Sequence, residues 1–231
     1  MPHHPAHFSK ELFGFLRELA AHNNRDWFQS NKERYLRVAR DPILRFIADV
    51  KTPLRGISPF LVADPKPQGG SMFRIYKDMR FASEGDGPYK THIAAQFRHK
   101  AGRDVHAPGL YLHLEPREIF VGGGIWRPDA RARGLIKARI LQEPDAWKAV
   151  IRSRGIKRSG GIDGEFMPGK PRGVPEDHPF FDDIRRRDWL FGVGFNATDL
   201  WREDFLDRFI AVCRDGAPLM KFLCDALSLP W

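Results

Sequence analysis

Leucine occupies every second position from 110 to 114, and Tyr111, His113 and Glu115 fill the places between and after. A period of two suits a strand with one apolar and one polar face, and it excludes an amphipathic helix there. Glu115-Pro116-Arg117-Glu118 reads as a tight turn into Ile119-Phe120-Val121, so these two segments are expected to pair as an antiparallel hairpin. Thr91 to His99 alternates in the same way, with Ile93, Ala95 and Phe97 set against His92, Gln96 and Arg98. Trp189 to Phe195 is a short apolar strand. Gly122-Gly123-Gly124 is expected to form a bulge or to let the backbone come close to another group.

On both sides of this β-rich centre the apolar spacing becomes helical. Leu12, Phe15, Leu16 and Leu19 define a first helix capped by Ser9, with Phe8 and Phe13 as a hydrophobic staple. A second is expected from Asp26 towards Arg40. A third starts at Asp41-Pro42, carries Ile43, Phe46, Ile47 and Val50, and ends at Thr52-Pro53. After the strands, Asp129 caps a helix through Ile140, and Trp147, Val150 and Ile151 mark another that Gly155 stops. Residues 160–179 are rich in Gly and Pro and are expected as an ordered loop. Two last helices, Glu203–Arg214 and Pro218–Leu227, are expected on either side of Gly216.

Strands in the middle with helices before and after them predict an α+β fold, its central sheet mainly antiparallel and packed by N-terminal and C-terminal helices. Regular β-α alternation is absent, which argues against a doubly wound parallel sheet. One domain is expected over residues 1–231: a helical part at 8–52, a β-rich centre at 71–126, and a helical, loop-rich part at 129–231.

Composition narrows the partners. No apolar run has the length of a membrane span, and the N-terminus lacks the pattern of a secretory signal. Cys213 and Cys224 have no metal-ligand spacing and sit among apolar helical residues, so a reducing cytoplasm is the expected setting. A formal charge of +9 favours anionic partners, but the positive residues are scattered.

The densest chemistry lies between Arg74 and His92. If Met72 to Phe81 is a strand, Arg74, Tyr76, Asp78 and Arg80 share one face, roughly 6.6 Å apart along it, with Phe73, Ile75, Met79, Phe81 and Lys77 on the other. Guanidinium groups grip carboxylate or phosphate through paired hydrogen bonds, and lysine adds a point charge. Arg74, Lys77, Arg80, Lys90 and His92 are therefore candidate anion contacts. Asp78 and Tyr89 are candidate proton-transfer or orienting groups. The competing reading is an ion-pair ladder in which Asp78 merely neutralises Arg80.

A second constellation, Gly169 to Pro179, is stiffened by proline and presents Arg172, Asp177 and His178. Arg172 joins the candidate anion contacts and His178 the candidate proton-transfer groups. The plainer reading is a turn with local side-chain caps.

Phosphate-binding loops, dinucleotide fingerprints, nucleophile elbows and the His-Glu-x-x-His motif are all absent. His3, His4 and His7 lie near the terminus, and His92, His99, His106 and His113 recur every seven residues across intervening loops. His113 and Glu115 share a strand face, yet surface or core-edge histidines are the expectation, with no metal and no cofactor.

The same residues carry a resemblance. The chain is similar to the DUF2461 family, whose hallmark reads Arg-x-x-Arg-Asp-x-Arg-Phe-x-x-x-(Asp/Asn)-Lys-x-x-Tyr. Arg74, Asp78, Arg80, Phe81 and Tyr89 match it, and Lys77 replaces an Arg with the charge kept. Gly85 and Asp86 stand where the acidic or amide residue and the Lys belong, so one cation of the pattern is missing. The likeness extends to Asn23-Asn24-Arg25-x-Trp27-Phe28, to the Pro171-Arg172-Gly173…Asp177-His178-Pro179 loop and to Pro218–Leu223. It implies a single family domain of bacterial type and transfers no activity.

Three functions follow as expectations. The first is a pocket for an anionic small molecule of phosphate or carboxylate type, with or without catalysis. The second is nucleic-acid binding through the basic surface. The third is a non-catalytic interaction module whose charged motif braces the fold.

Overall fold

The computed structural model describes residues 6–78, 80, 87–102 and 107–231. The expected positions of Met79, Phe81, Gly85, Asp86 and His106, and most of the turn after Phe81, lie outside the described residues.

Helix α1 (Lys10–Ala21) buries Leu12, Phe13, Phe15, Leu16 and Leu19. The helix expected from Asp26 to Arg40 is instead broken into α2 (Arg25–Ser30), α3 (Lys32–Tyr35) and a π-helical turn (Leu36–Arg40). Asn31 makes the break: its backbone leaves the helical region at φ −109°, ψ 11°, and its side-chain amide donates to the Trp27 carbonyl at 3.0 Å. The π turn runs directly into α4 (Asp41–Arg55), which buries Ile43, Phe46, Ile47, Val50 and Leu54. This helix passes the expected stop, because Pro53 falls in its last turn and removes only one backbone hydrogen bond there.

The sheet has four strands in the order β1 (Ile93–Arg98), β2 (Gly109–Glu115), β3 (Glu118–Ile125) and β4 (Trp189–Gly194), each antiparallel to its neighbour. The expected hairpin forms, with Glu115 opposite Glu118 across Pro116-Arg117. Gly122, Gly123 and Gly124 are not a bulge: each pairs in register with both β2 and β4.

Residues 72–78, the described part of the expected strand at 72–81, do not form a regular strand. An extended segment pairs at Met72↔Ala95 and at Tyr76↔Tyr89, with three residues between the bridges on one side and five on the other. The two bridges are thus out of register, and the pairing lapses between them. Hydrogen bonds from Phe73 N to Ala94 O (3.0 Å) and from Lys90 N to Ile75 O (2.7 Å) hold the segment beside the start of β1.

After the sheet's first three strands come α5 (Ala130–Gln142), α6 (Pro144–Arg152) and α7 (Arg154–Arg158). Beyond the expected loop lie α8 (Phe181–Arg185), β4, α9 (Ala197–Leu200) and α10 (Phe205–Ala226). Asp129 caps α5 as expected, accepting from Ala132 N at 2.7 Å. The two expected C-terminal helices are one. Gly216 and Pro218 both lie inside α10, which packs across the apolar face of the sheet with Phe97 edge-on to Phe209 at 5.4 Å. One continuous apolar cluster joins Phe8, Phe46, Phe97, Leu112, Val121, Trp189 and Phe209.

Candidate functional site

Side chains alternate across the sheet, so the face opposite α10 is set by the register of β2 and β3. Gly109, Tyr111 and His113 on β2 stand opposite Gly124, Gly122 and Phe120 on β3, and Gly122 in turn faces Gly192 on β4. Glycines thus floor the middle of this face while rings rise around them. The result is a cavity of about 470 Å³, walled by Phe73, Lys90 and His92 beside β1, by Tyr111 and Phe120 in the middle, and by Trp126 and Leu190 towards β4. That volume falls within the range of small-molecule sites.

Two glycines are required rather than merely tolerated. Gly124 sits at φ +129°, and a Cβ there would lie 2.0 Å from the Trp189 carbonyl oxygen. A Cβ at Gly122 would lie 2.3 Å from the Phe191 carbonyl oxygen. Either would push β3 and β4 apart beneath the cavity.

Of the residues singled out in the sequence, Lys90 and His92 line the cavity. The half-buried Lys90 ammonium lies over the Phe73 ring, 5.2 Å from its centroid, and burial together with the nearby Arg74 charge lowers its pKa from the ordinary lysine value. Burial is also the main reason the His92 pKa falls to about 4, with His113, Lys90 and Lys77 adding to the effect and Glu115 opposing it. Arg74 itself is exposed.

Asp78 and Arg80 are engaged with each other. Arg80 donates through Nε to Oδ1 (2.9 Å) and through Nη2 to Oδ2 (2.6 Å), and its backbone N–H donates to Oδ1 (3.2 Å). Hydrogen bonds from Arg80 hold the Asp78 pKa down at about 2. Neither residue lines the cavity.

Tyr89 is a core residue, 2% exposed. Phe28 stacks on it at 4.0 Å and 19°, and Tyr76 leans against it at 5.3 Å. The Asn23 amide bonds its backbone from both sides, donating to Tyr89 O (2.9 Å) and accepting from Tyr89 N (3.0 Å). Two of the motifs that carry the family resemblance, near residues 23 and 89, are therefore one packed unit.

The second constellation lies elsewhere. Its loop leaves the sheet at the β4 edge, through the bridges Asp163↔Leu190 and Phe166↔Arg186, whereas Arg74 and Arg80 belong to the segment beside β1. Arg172 is exposed and does not line the cavity. His178 caps the turn into α8, its Nδ1 accepting from Phe180 N at 3.1 Å.

The fold also assembles a group that reading by motif left dispersed. Tyr111 Oη lies 3.3 Å from His113 Nδ1, His113 Nε2 lies 3.4 Å from Glu115 Oε2, and Thr91 Oγ1 donates to Glu115 Oε1 at 3.1 Å. The His92 and His113 rings are 4.6 Å apart. Burial pushes the Tyr111 hydroxyl up to about 12, and Glu118 adds to this. The alternation of β2 already placed His113 beside Glu115. What was missing was the strand register that brings His92 to them.

Among the described residues no helix is long and apolar enough to cross a membrane. A family model, described as a conserved hypothetical protein (DUF2461), matches residues 11–222. No curated protein and no solved structure matches the chain.

Proposed function

The chain belongs to the DUF2461 family, whose description carries no activity, and we propose that it binds an anionic small molecule in the sheet-face cavity. One observation carries this reading: Lys90 is half-buried at the cavity wall and, among the described residues, no carboxylate pairs with it. Arg74 adds charge of the same sign beside it, and Lys77 acts in the same sense on the neighbouring His92. A partly desolvated cation with a like-charged neighbour is stabilised by an anion that brings the missing counter-charge.

The surrounding rings define the rest of the ligand. Phe73, Tyr111, Phe120 and Trp126 offer an apolar wall, and the glycine floor lets a flat body lie close to the sheet. A carboxylate or phosphate ester on an aromatic or aliphatic body fits this combination. Lys90 is the direct contact in this reading, with Arg74 and Lys77 raising the local potential. Arg80 is held by Asp78, and Arg172 stands apart from the wall.

Calorimetric titration with phenyl phosphate and with phenylacetate, in buffer containing a chelator, tests the reading. Binding of either probe should weaken at least about tenfold in Lys90→Met, because a charge-assisted contact is worth about 1.5–3 kcal/mol. Arg80→Ala should leave that affinity unchanged. Equal binding by wild type and Lys90→Met, with both folded, would end the proposal. Salt-sensitive binding to single-stranded DNA, unaltered by Lys90→Met, would assign the basic surface to nucleic acid instead.

A further inference from the structure

We propose that His92, His113 and Glu115 form a site for one divalent transition-metal ion beside the cavity. This does not rest on the anion reading. One ligand atom from each of the three residues lies within 4.8 Å of the other two. The His113 Nε2 to Glu115 Oε2 distance of 3.4 Å is long for a hydrogen bond. It matches the edge of a tetrahedron whose corners lie about 2.1 Å from a central ion, which is about 3.4 Å.

The backbone prepares this arrangement. His113 and Glu115 are two apart on β2 and therefore project from one face, and both lie in a regular strand. Ile93 pairs with Leu114, which brings His92, one residue before β1, across from Glu115. The seven-residue spacing of histidine in the sequence does not by itself define a common face. The pairing of 92 with 115 does.

The atoms behind the ligands are also in place. Metal-bound imidazoles commonly donate their other ring N–H to an acceptor, and bound carboxylates are commonly braced by a hydrogen bond. Tyr111 Oη stands at the Nδ1 side of His113, which leaves Nε2 for the ion. Thr91 donates to Oε1 of Glu115, which leaves Oε2 for the ion. His113 is 8% exposed, so its ring is fixed by packing, with Phe120 stacked on it at 5.0 Å.

Two imidazoles and one carboxylate select against calcium and magnesium, which require mostly oxygen ligands. The set suits zinc, cobalt or ferrous iron. Three protein ligands leave at least one coordination position, and His92 is the member that lines the cavity. A ligand held there by Lys90 would come within reach of that position.

The test uses the whole chain, stripped of metal with a chelator and titrated with Co²⁺ alone. One equivalent should produce visible ligand-field absorption that Zn²⁺ then quenches by displacement. Glu115→Gln keeps an oxygen for Thr91 but removes the anionic ligand. It should weaken binding by at least about tenfold, the lower end of what loss of a supporting group costs. His113→Ala should abolish the spectrum, and the His3→Ala/His4→Ala double variant should keep it. No spectrum in the wild type would overturn the proposal and leave Tyr111, His113 and Glu115 as a hydrogen-bonded row only. So would a spectrum that survives Glu115→Gln and His113→Ala but disappears with the two terminal histidines.

Discussion

The Phe191 ring of β4 rests directly on the backbone of Gly216 in α10. A Cβ built on that glycine would lie 1.8 Å from Phe191 Cζ. The contact joins sheet to helix at a point where both partners are buried, and it accounts for a glycine in the interior of a long helix. Gly216→Ala gains about 1 kcal/mol of helix propensity. Forcing the ring aside in a close-packed core costs more, about 1–3 kcal/mol and at the upper end for so short an approach. The variant should unfold at lower denaturant concentration, and Phe191→Leu should relieve part of that loss in a double-mutant cycle.

Asn23 and Tyr89 supply a second test of packing between distant motifs. The Asn23 amide donates and accepts at the Tyr89 backbone, so it serves as a short strand. Asn23→Asp keeps the acceptor but points a carboxylate oxygen at the Tyr89 carbonyl. Urea denaturation should show a loss of about 2 kcal/mol, from one hydrogen bond removed and one acceptor left facing another. Asn23→Ala should lose a similar amount, and neither change should shift the position of the cavity residues on β2.

Gly192, next to the lining residue Gly122 on the same sheet face, offers a way to narrow the cavity without breaking the sheet. Its nearest heavy atom to a built Cβ is the Val121 carbonyl oxygen at 3.9 Å, and it stands opposite Gly122. Gly192→Leu should leave the unfolding midpoint at or above that of the wild type, since leucine suits a strand better than glycine. Affinity for phenyl phosphate should fall by roughly tenfold as the side chain takes space from the ligand. Unchanged affinity in the folded variant would place the ligand elsewhere.

The two cysteines provide a probe of the closed core. Burial raises the Cys213 thiol well above its ordinary range and the Cys224 thiol to about 12, with Asp225 adding to the latter. A thiolate is the reactive form. An aromatic disulfide reagent at pH 8 should therefore label neither thiol in the native protein and both after denaturation. Rapid labelling of Cys213 in the native state would contradict its burial within α10.

What the sequence determined was period and punctuation. Alternating leucines specified β2 and its two faces, Pro116-Arg117 specified the hairpin, and Asp129 specified the start of α5, because each depends on residues a few positions apart. Signals of this kind also located a charged region in which Lys90 and His92 do line the cavity. They could not place Gly216 and Pro218 inside one helix, since the ring that needs the glycine comes from another strand. Nor could they show that Asp78 and Arg80 hold each other rather than the cavity, or that Tyr89 is clamped by Asn23. The meeting of His92 with His113 and Glu115 depends on which residues of β1 and β2 stand opposite one another. That register is fixed by burial of one whole sheet face under α10, so it belongs to the tertiary structure and to no single stretch of chain.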